Sequence, residues 1–167
     1  MELKTTEGNE NMPPKGIILI YGQPKIGKST LAAGLVDVVI DLGDGLGHLK
    51  GVKYYRPTTM KELKESINLA YRDFKSICID TLDVLNNWIE DEVCQELGTD
   101  EMGEAGYGSD WGKSRRKVLE FIHQLRNSFD LVVLVGHQKL AIVEESSKAR
   151  HVDLPGKLSR YVTAQCD

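Results

Sequence analysis

Apolar residues along this chain fall in short dense runs separated by amphipathic stretches. Gly16-Ile-Ile-Leu-Ile-Tyr21, Ser76-Ile-Cys-Ile-Asp80 and Leu131-Val-Val-Leu-Val135 are too short for helices. Their β-branched content is that of strands buried on both faces of a parallel sheet. Val36-Asp-Val-Val-Ile40 could extend a preceding helix or begin a second strand, and its β-branched residues favour the strand. Lys50 to Arg56 reads as a third, edge-like strand closed by Pro57. Leu31–Leu35 reads as a short helix. A longer one opens at the capping-box pattern Thr59-Met-Lys-Glu62 and carries the stripe Met60, Leu63, Ile67, Ala70 and Phe74 at helical spacing. Leu82 to Leu97 is amphipathic, with Leu85, Trp88, Ile89 and Val93 on or near one face, so Trp88 reads as core. Gly98, Gly103, Gly106, Gly108 and Gly112 mark a long loop before a helix from about Lys113 to Asn127. After Gly136-His-Gln-Lys139 the pattern fades into polar sequence, then Pro155-Gly156 and a short amphipathic end. Alternating strand and helix signals predict a parallel α/β sheet flanked by helices, with no internal repeat.

The chain has 167 residues, 41% apolar and 28% charged, ordinary for one globular domain able to bury a sizeable core. No apolar run approaches the ~20 residues of a membrane span, and the polar N-terminus lacks the apolar stretch of a secretory signal. Residues 1–14 read as a flexible leader, because Pro13-Pro14 stops any early helix, leaving a domain over 15–167. Lys plus Arg number 21 against 25 Asp plus Glu, a net charge of -4, so any nucleic-acid contact must come from a local patch. Cys78, Cys94 and Cys166 form no metal-type cluster and cannot all pair, which fits reduced thiols in a cytoplasm.

The strongest chemical signal is Gly22-x-x-x-x-Gly27-Lys28-Ser29, the Walker A pattern, preceded by a strand and followed by a helix as its mechanism requires. Gly22, Gln23, Pro24, Lys25, Ile26, Gly27, Lys28, Ser29 and Thr30 form the candidate ATP-binding loop. Its glycines let successive backbone N–H groups turn toward phosphates, and the helix N-terminus adds a favourable dipole. The pattern predicts Lys28 at the β- and γ-phosphates, the Ser29 hydroxyl on Mg2+ and Thr30 near the α-phosphate. Asp80, ending an apolar strand, is the matching carboxylate, expected to hold Mg2+ through water. Thr81 is either a further hydroxyl at the site or a turn or helix-cap residue.

The same residues carry a family resemblance. Gly22-Gln-Pro-Lys-Ile-Gly-Lys-Ser-Thr, a very short helix and Val-Val-Ile-Asp-Leu-Gly-Asp-Gly resemble phage-encoded RecA-like, AAA-type P-loop ATPases. Gly106-Tyr-Gly-Ser-Asp-Trp-Gly, the basic helix after it and Leu-Val-Gly-His-Gln-Lys139 follow in the same order and spacing. The group includes single-strand-annealing recombination ATPases, and the resemblance covers roughly Gly16 to Asp167. It implies a RecA-like parallel sheet with the Leu131–Val135 strand between the phosphate-loop strand and the Asp80 strand. It implies His137 near the γ-phosphate as a sensor of nucleotide state; the plainer reading is a polar residue leaving a strand. The family's acidic residue ending the second strand, usually Glu, would activate the attacking water. The matching position is Asp44, one methylene shorter, with Asp41 as the fallback, and a turn role for both stays open.

The resemblance also implies a homo-oligomeric ring or filament with a cation supplied by the neighbour, for which Lys148 and Arg150 are the candidates. Single-stranded DNA is the implied partner, along with phage recombination or replication proteins. Tyr107 and Trp111 beside Lys113, Arg115, Arg116 and Lys117 supply rings and cations for a strand. The alternative is a core Trp111 and a solvated basic helix face. The family typically continues into further strands beyond Asp167, which leaves open whether the domain is complete at that end. Two other functions fit the phosphate loop: a small-molecule kinase, whose arginine-rich lid is not evident, and a nucleotide-dependent assembly switch with little hydrolysis.

Overall fold

A computed structural model describes residues 16–144, 147–155 and 157–166, without the side chains of Tyr107 and residues 140–151. The 1–14 leader lies outside the described residues. Twelve elements follow in order: β1 (Gly16–Gly22), α1 (Lys28–Leu35), β2 (Val38–Asp41), β3 (Tyr54–Tyr55), α2 (Met60–Asp73), β4 (Ser76–Asp80), α3 (Leu82–Leu97), a 3-10 turn at Gly106–Gly108, α4 (Ser109–Ser128), β5 (Leu131–Glu144), β6 (Ser147–Val152) and α5 (Leu158–Thr163). The sheet order is β1-β5-β4-β2-β3, all parallel, with β6 antiparallel to β5. β5 therefore lies between the phosphate-loop strand and the Asp80 strand, as expected, and the fold is a RecA-like P-loop α/β sheet.

Strand parity decides which face each residue serves. Val38, Ile40, Ile77, Ile79, Val132 and Leu134 pack into the larger core, with Leu63 and Ala70 of α2, Leu85 and Ile89 of α3, and Val118, Ile122 and Leu125 of α4. Val39, Cys78, Leu131, Val133 and Val135 point the other way, against Ala32 of α1. Asp41, Asp80 and His137 continue this second set at i+2, so all three leave their strands on the α1 face. The fold thereby gathers its polar strand ends on the side of the phosphate loop.

Four details correct the sequence reading. The helix expected from about Lys113 begins at Ser109 and takes in Gly112. The sequence after Lys139, expected to be irregular, is paired: β5 runs on through Leu140-Ala-Ile-Val143 to Glu144 and pairs antiparallel with β6. The edge strand shrinks to Tyr54–Tyr55. At the start of α2, Thr59 accepts from the Glu62 N–H, but the Glu62 carboxylate accepts from the N–H and hydroxyl of Thr58 rather than from Thr59. The core readings of Met60 and Trp88 hold, since both pack against the larger cluster.

Candidate nucleotide site

The phosphate loop is shaped by backbone that most residues avoid. Gly27, the N-cap of α1, has φ 93, and Lys25 before it has φ 65. A side chain at Gly27 would meet open space, yet its left-handed backbone favours glycine. No side chain caps α1 and no acidic residue stands in its first turn, so its leading N–H groups are left to an anion. Lys28 is buried and its Nζ donates to the carbonyls of Gly22 (3.2 Å) and Gln23 (2.9 Å). The loop thus presents its own lysine at its centre. Ile26 faces solvent.

Asp80 faces this loop from the end of β4. The Ser29 hydroxyl stands beside its carboxylate and favours the charged form, while Asp80 Oδ2 is buried with no hydrogen-bond partner among the described residues. Burial pushes the Asp80 carboxyl above its ordinary range; the Ser29 hydroxyl and Lys28 oppose that, and Asp41 and Asp83 add like charge. Thr81 Oγ1 and Asp83 Oδ1 are likewise buried without a partner. Lys28, Ser29, Asp80, Thr81, Asp83 and His137 all line one cavity of about 570 Å³, with Pro24, Lys25, Gly27 and Thr30 completing the loop side.

His137 stands where β5 changes partners. It is the last β5 residue in register with β1, opposite Gly22, and Gln138 is the first in register with β6. Its Nδ1 lies 2.9 Å from Asp83 Oδ2 on the first turn of α3. Gly136 just before it must be small, because a Cβ there would come within 2.6 Å of Val152 Cγ2. The sheet and the hairpin are thus pressed together one residue from the cavity.

The acidic residues after β2 are placed otherwise. Asp41 is fully buried; its Oδ1 accepts from the Gly45 N–H at 3.1 Å and its Oδ2 from Arg56 Nε and Nη2 at 3.1 and 2.7 Å. Asp44, 78% exposed, pairs with Arg56 Nη1 at 2.6 Å and does not line the cavity, whereas its neighbours Gly43 and Gly45 do. The structure therefore does not bring the Asp44 carboxylate to the cavity. Arg56 engages both acids and fastens the loop.

The residues expected at DNA are dispersed around α4. Lys113 and Lys117 reach Glu96 of α3 at 2.7 and 2.6 Å, and Lys117 also approaches Glu92. Hydrogen bonds from Lys113 and Lys117 hold the exposed Glu96 carboxyl at about 2. Arg115 lies over the Tyr161 ring, Arg116 is exposed and Trp111 is 41% exposed rather than core. The side chains of Tyr107, Lys148 and Arg150 lie outside what is described; the backbone places Lys148 and Arg150 on β6, opposite Ile142 and Leu140.

Residues that sequence reasoning missed are Asp83, His48 and Arg56. His48 lines the cavity from the glycine-rich segment after β2. A carboxylate in the first turn of the helix after Asp80 is the one sequence signal that could have flagged Asp83.

The left-handed phosphate loop, the buried lysine and the hydroxyl–carboxylate pair at the C-terminal ends of parallel strands define a P-loop nucleotide-binding protein of the RecA-like ATPase type. The chain belongs to the AAA domain family, which matches residues 15–167. No curated protein matches it. Among solved structures, the crystal structure of the RadB recombinase is similar at 14% identity and a TM-score of 0.46, covering 92% of this chain and 72% of that one. Among the described residues no helix is long and apolar enough to cross a membrane.

Proposed function

We propose that this protein hydrolyses ATP with Mg2+ at the cavity between the phosphate loop and Asp80, and that it does so as a homo-oligomer acting on single-stranded DNA. The observation that carries the first part is the convergence of Lys28, Ser29, Asp80 and His137 on one cavity. Mg2+ suits this donor set: Ser29 and Asp80 offer hard oxygens, and Asp80 Oδ2 is an unsatisfied buried acceptor. Among the described residues there is no cluster of three His, Cys, Asp or Glu that would make an all-protein cage. That matches an ion held by one or two side chains, water and phosphate. When bound, Mg2+ neutralises charge on the phosphate oxygens.

The chain's own residues supply the remaining parts. The N–H groups of the loop and α1 bind and orient the phosphates. Lys28 exchanges its two carbonyl partners for phosphate oxygens, and Asp83 fixes the His137 ring so that its other nitrogen is available to the cavity. With Asp41 and Asp44 both engaged by Arg56, neither is free to take a proton from water in this arrangement. Turnover in the isolated protomer is therefore slow.

The oligomer reading has support in the thin cover on the α1 face. Ile26, Leu31 and Leu35 are exposed on the loop and on α1, the one helix among the described residues packed there, an apolar patch suited to a second copy beside the nucleotide. The DNA reading rests on the family resemblance and on Trp111, Arg115 and Arg116, because Lys113 and Lys117 are already neutralised. Phosphate release measured with and without single-stranded DNA tests the whole proposal. Turnover that rises with the strand supports it, transfer to a small acceptor instead supports a kinase, and binding without turnover supports a switch.

A further inference from the structure

A second cavity, of about 280 Å³, opens farther along α3 from the nucleotide site, between α3, α4 and the entry to α5. Its size is at the small edge of ligand pockets, which run about 300–1,000 Å³, enough for one flat ring system. Six residues of its lining carry chemistry: Asn86, Glu90, Trp111, Ser114, Arg115 and Lys157.

The polar groups are not those of a spent surface groove. Asn86 is 2% exposed; its Nδ2 donates to Glu90 Oε1 at 2.8 Å, while its Oδ1 is buried with no partner among the described residues. A buried carbonyl left without a donor is unfavourable, so the site is short of a donor. Glu90 adds a second acceptor beside it. The Trp111 ring is held at the rim by Asp110, a fully buried carboxylate that accepts the N–H groups of Gly103 and Trp111. That pair of bonds ties the glycine loop to the start of α4. Arg115 and Lys157 bring positive charge to the same opening, and among the described residues neither has an acidic partner.

We propose that this cavity binds one nucleotide whose base carries an exocyclic amine, stacked on Trp111 with its phosphate toward Arg115 and Lys157. Two acceptors, Asn86 Oδ1 and the Glu90 carboxylate, match the two N–H bonds of an amino group, and thymine offers no such group. An indole face is a favourable platform for a stacked base. The nucleotide is either free or one residue of a single strand. Only the strand-bound form rests on the DNA reading above, and neither form needs hydrolysis.

The test uses the full chain carrying Lys28→Ala, so that the phosphate loop does not compete. Tryptophan emission is titrated with dAMP, dTMP, oligo(dA) and oligo(dT). The adenine ligands quench emission with at least tenfold tighter apparent affinity than their thymine counterparts. Quenching by dAMP and oligo(dA) alike identifies a free-nucleotide site, and quenching by oligo(dA) alone identifies a strand-binding one. No quenching by any of the four, or equal quenching by adenine and thymine ligands, overturns the proposal. Because Asn86 is buried and its replacement can unfold the chain, the surface variant Trp111→Ala supplies the second arm. It lowers the affinity for labelled oligo(dA), read by anisotropy, at least fivefold, and unchanged affinity there also overturns the proposal. Phosphate release by the wild-type chain, measured separately, keeps a failure here distinct from a failure of the ATPase reading.

Discussion

His137 Nδ1 lies 2.9 Å from Asp83 Oδ2, joining the residue at which β5 leaves the sheet to the first turn of the helix behind Asp80. Both line the nucleotide cavity, and the next residue after His137 begins the hairpin. A change felt by the ring in this cavity therefore has a covalent route into the β5–β6 ribbon.

Loss of that pair is expected to impair chemistry more than binding. Asp83→Asn keeps the shape but removes the charge that orients the ring. We expect turnover to fall about tenfold, with KM for ATP within about threefold of wild type, because the pair acts on the reacting end of the nucleotide. Steady-state kinetics decide the matter. A KM effect alone would make Asp83 a binding residue instead.

Arg56 is expected to matter for stability. Its guanidinium covers Asp41, a fully buried carboxylate, and also holds Asp44. Arg56→Ala strands the Asp41 charge and should lower the unfolding midpoint clearly below that of the wild type. Lysine at the same position should recover only part of that, since it cannot offer Nε and Nη2 together. Urea unfolding of the two variants checks this. Asp44→Asn, by contrast, removes an exposed partner and should change stability by less than about 1 kcal/mol.

Asp37 gives a pH signature. Burial would raise its carboxyl, but the hydroxyl of Ser76 and the N–H groups of Lys75 and Ser76 outweigh it and hold the carboxyl below its ordinary value of 3.8. These bonds tie the start of β2 to the start of β4. A carboxyl depressed in the folded state contributes stability that is fully present above 3.8 and is lost as pH falls through the folded value. Asp37 is exposed, so solvent screening keeps the effect small: Asp37→Ala should cost less than about 1 kcal/mol at neutral pH, and the gap from wild type should close below pH 3.8 in denaturant titrations.

On α4 the cations divide by partner. Replacing Lys113 and Lys117 together should alter affinity for single-stranded DNA less than about threefold, since Glu92 and Glu96 already neutralise them. Replacing Arg115 and Arg116 should weaken binding and flatten its salt dependence by about 0.7 per lost phosphate contact. The opposite ranking, measured over a salt series, would move the strand to the α3 side of the helix.

What was legible in the sequence is what the core writes locally. The runs at Gly16–Tyr21, Ser76–Asp80 and Leu131–Val135 are apolar on both faces because helices cover both faces of the sheet, so each strand announced itself. The phosphate loop was legible for a similar reason: its glycine, lysine and serine act within nine consecutive residues. The β5–β6 pairing after His137 was missed because Leu140-Ala-Ile-Val143 is the one apolar run there, and its partner Ser147–Val152 is mostly polar and leaves no hydrophobic periodicity to read. Asp83 was missed because its partner lies 54 residues away. Asp44 was read by position along the chain, and only the fold shows that Arg56, from beyond β3, turns its carboxylate from the cavity. Trp111 was weighed as core or surface, and Asp110 decides for the rim by pinning the backbone on either side.

The central claim is that Lys28, Ser29 and Asp80 form a working Mg2+–nucleotide site. Phosphate release from ATP in the presence of Mg2+, compared between the wild-type chain and Lys28→Ala, tests it most directly. The account predicts measurable release by the wild type and a loss of at least a hundredfold in the variant. Equal release by the two proteins would contradict it.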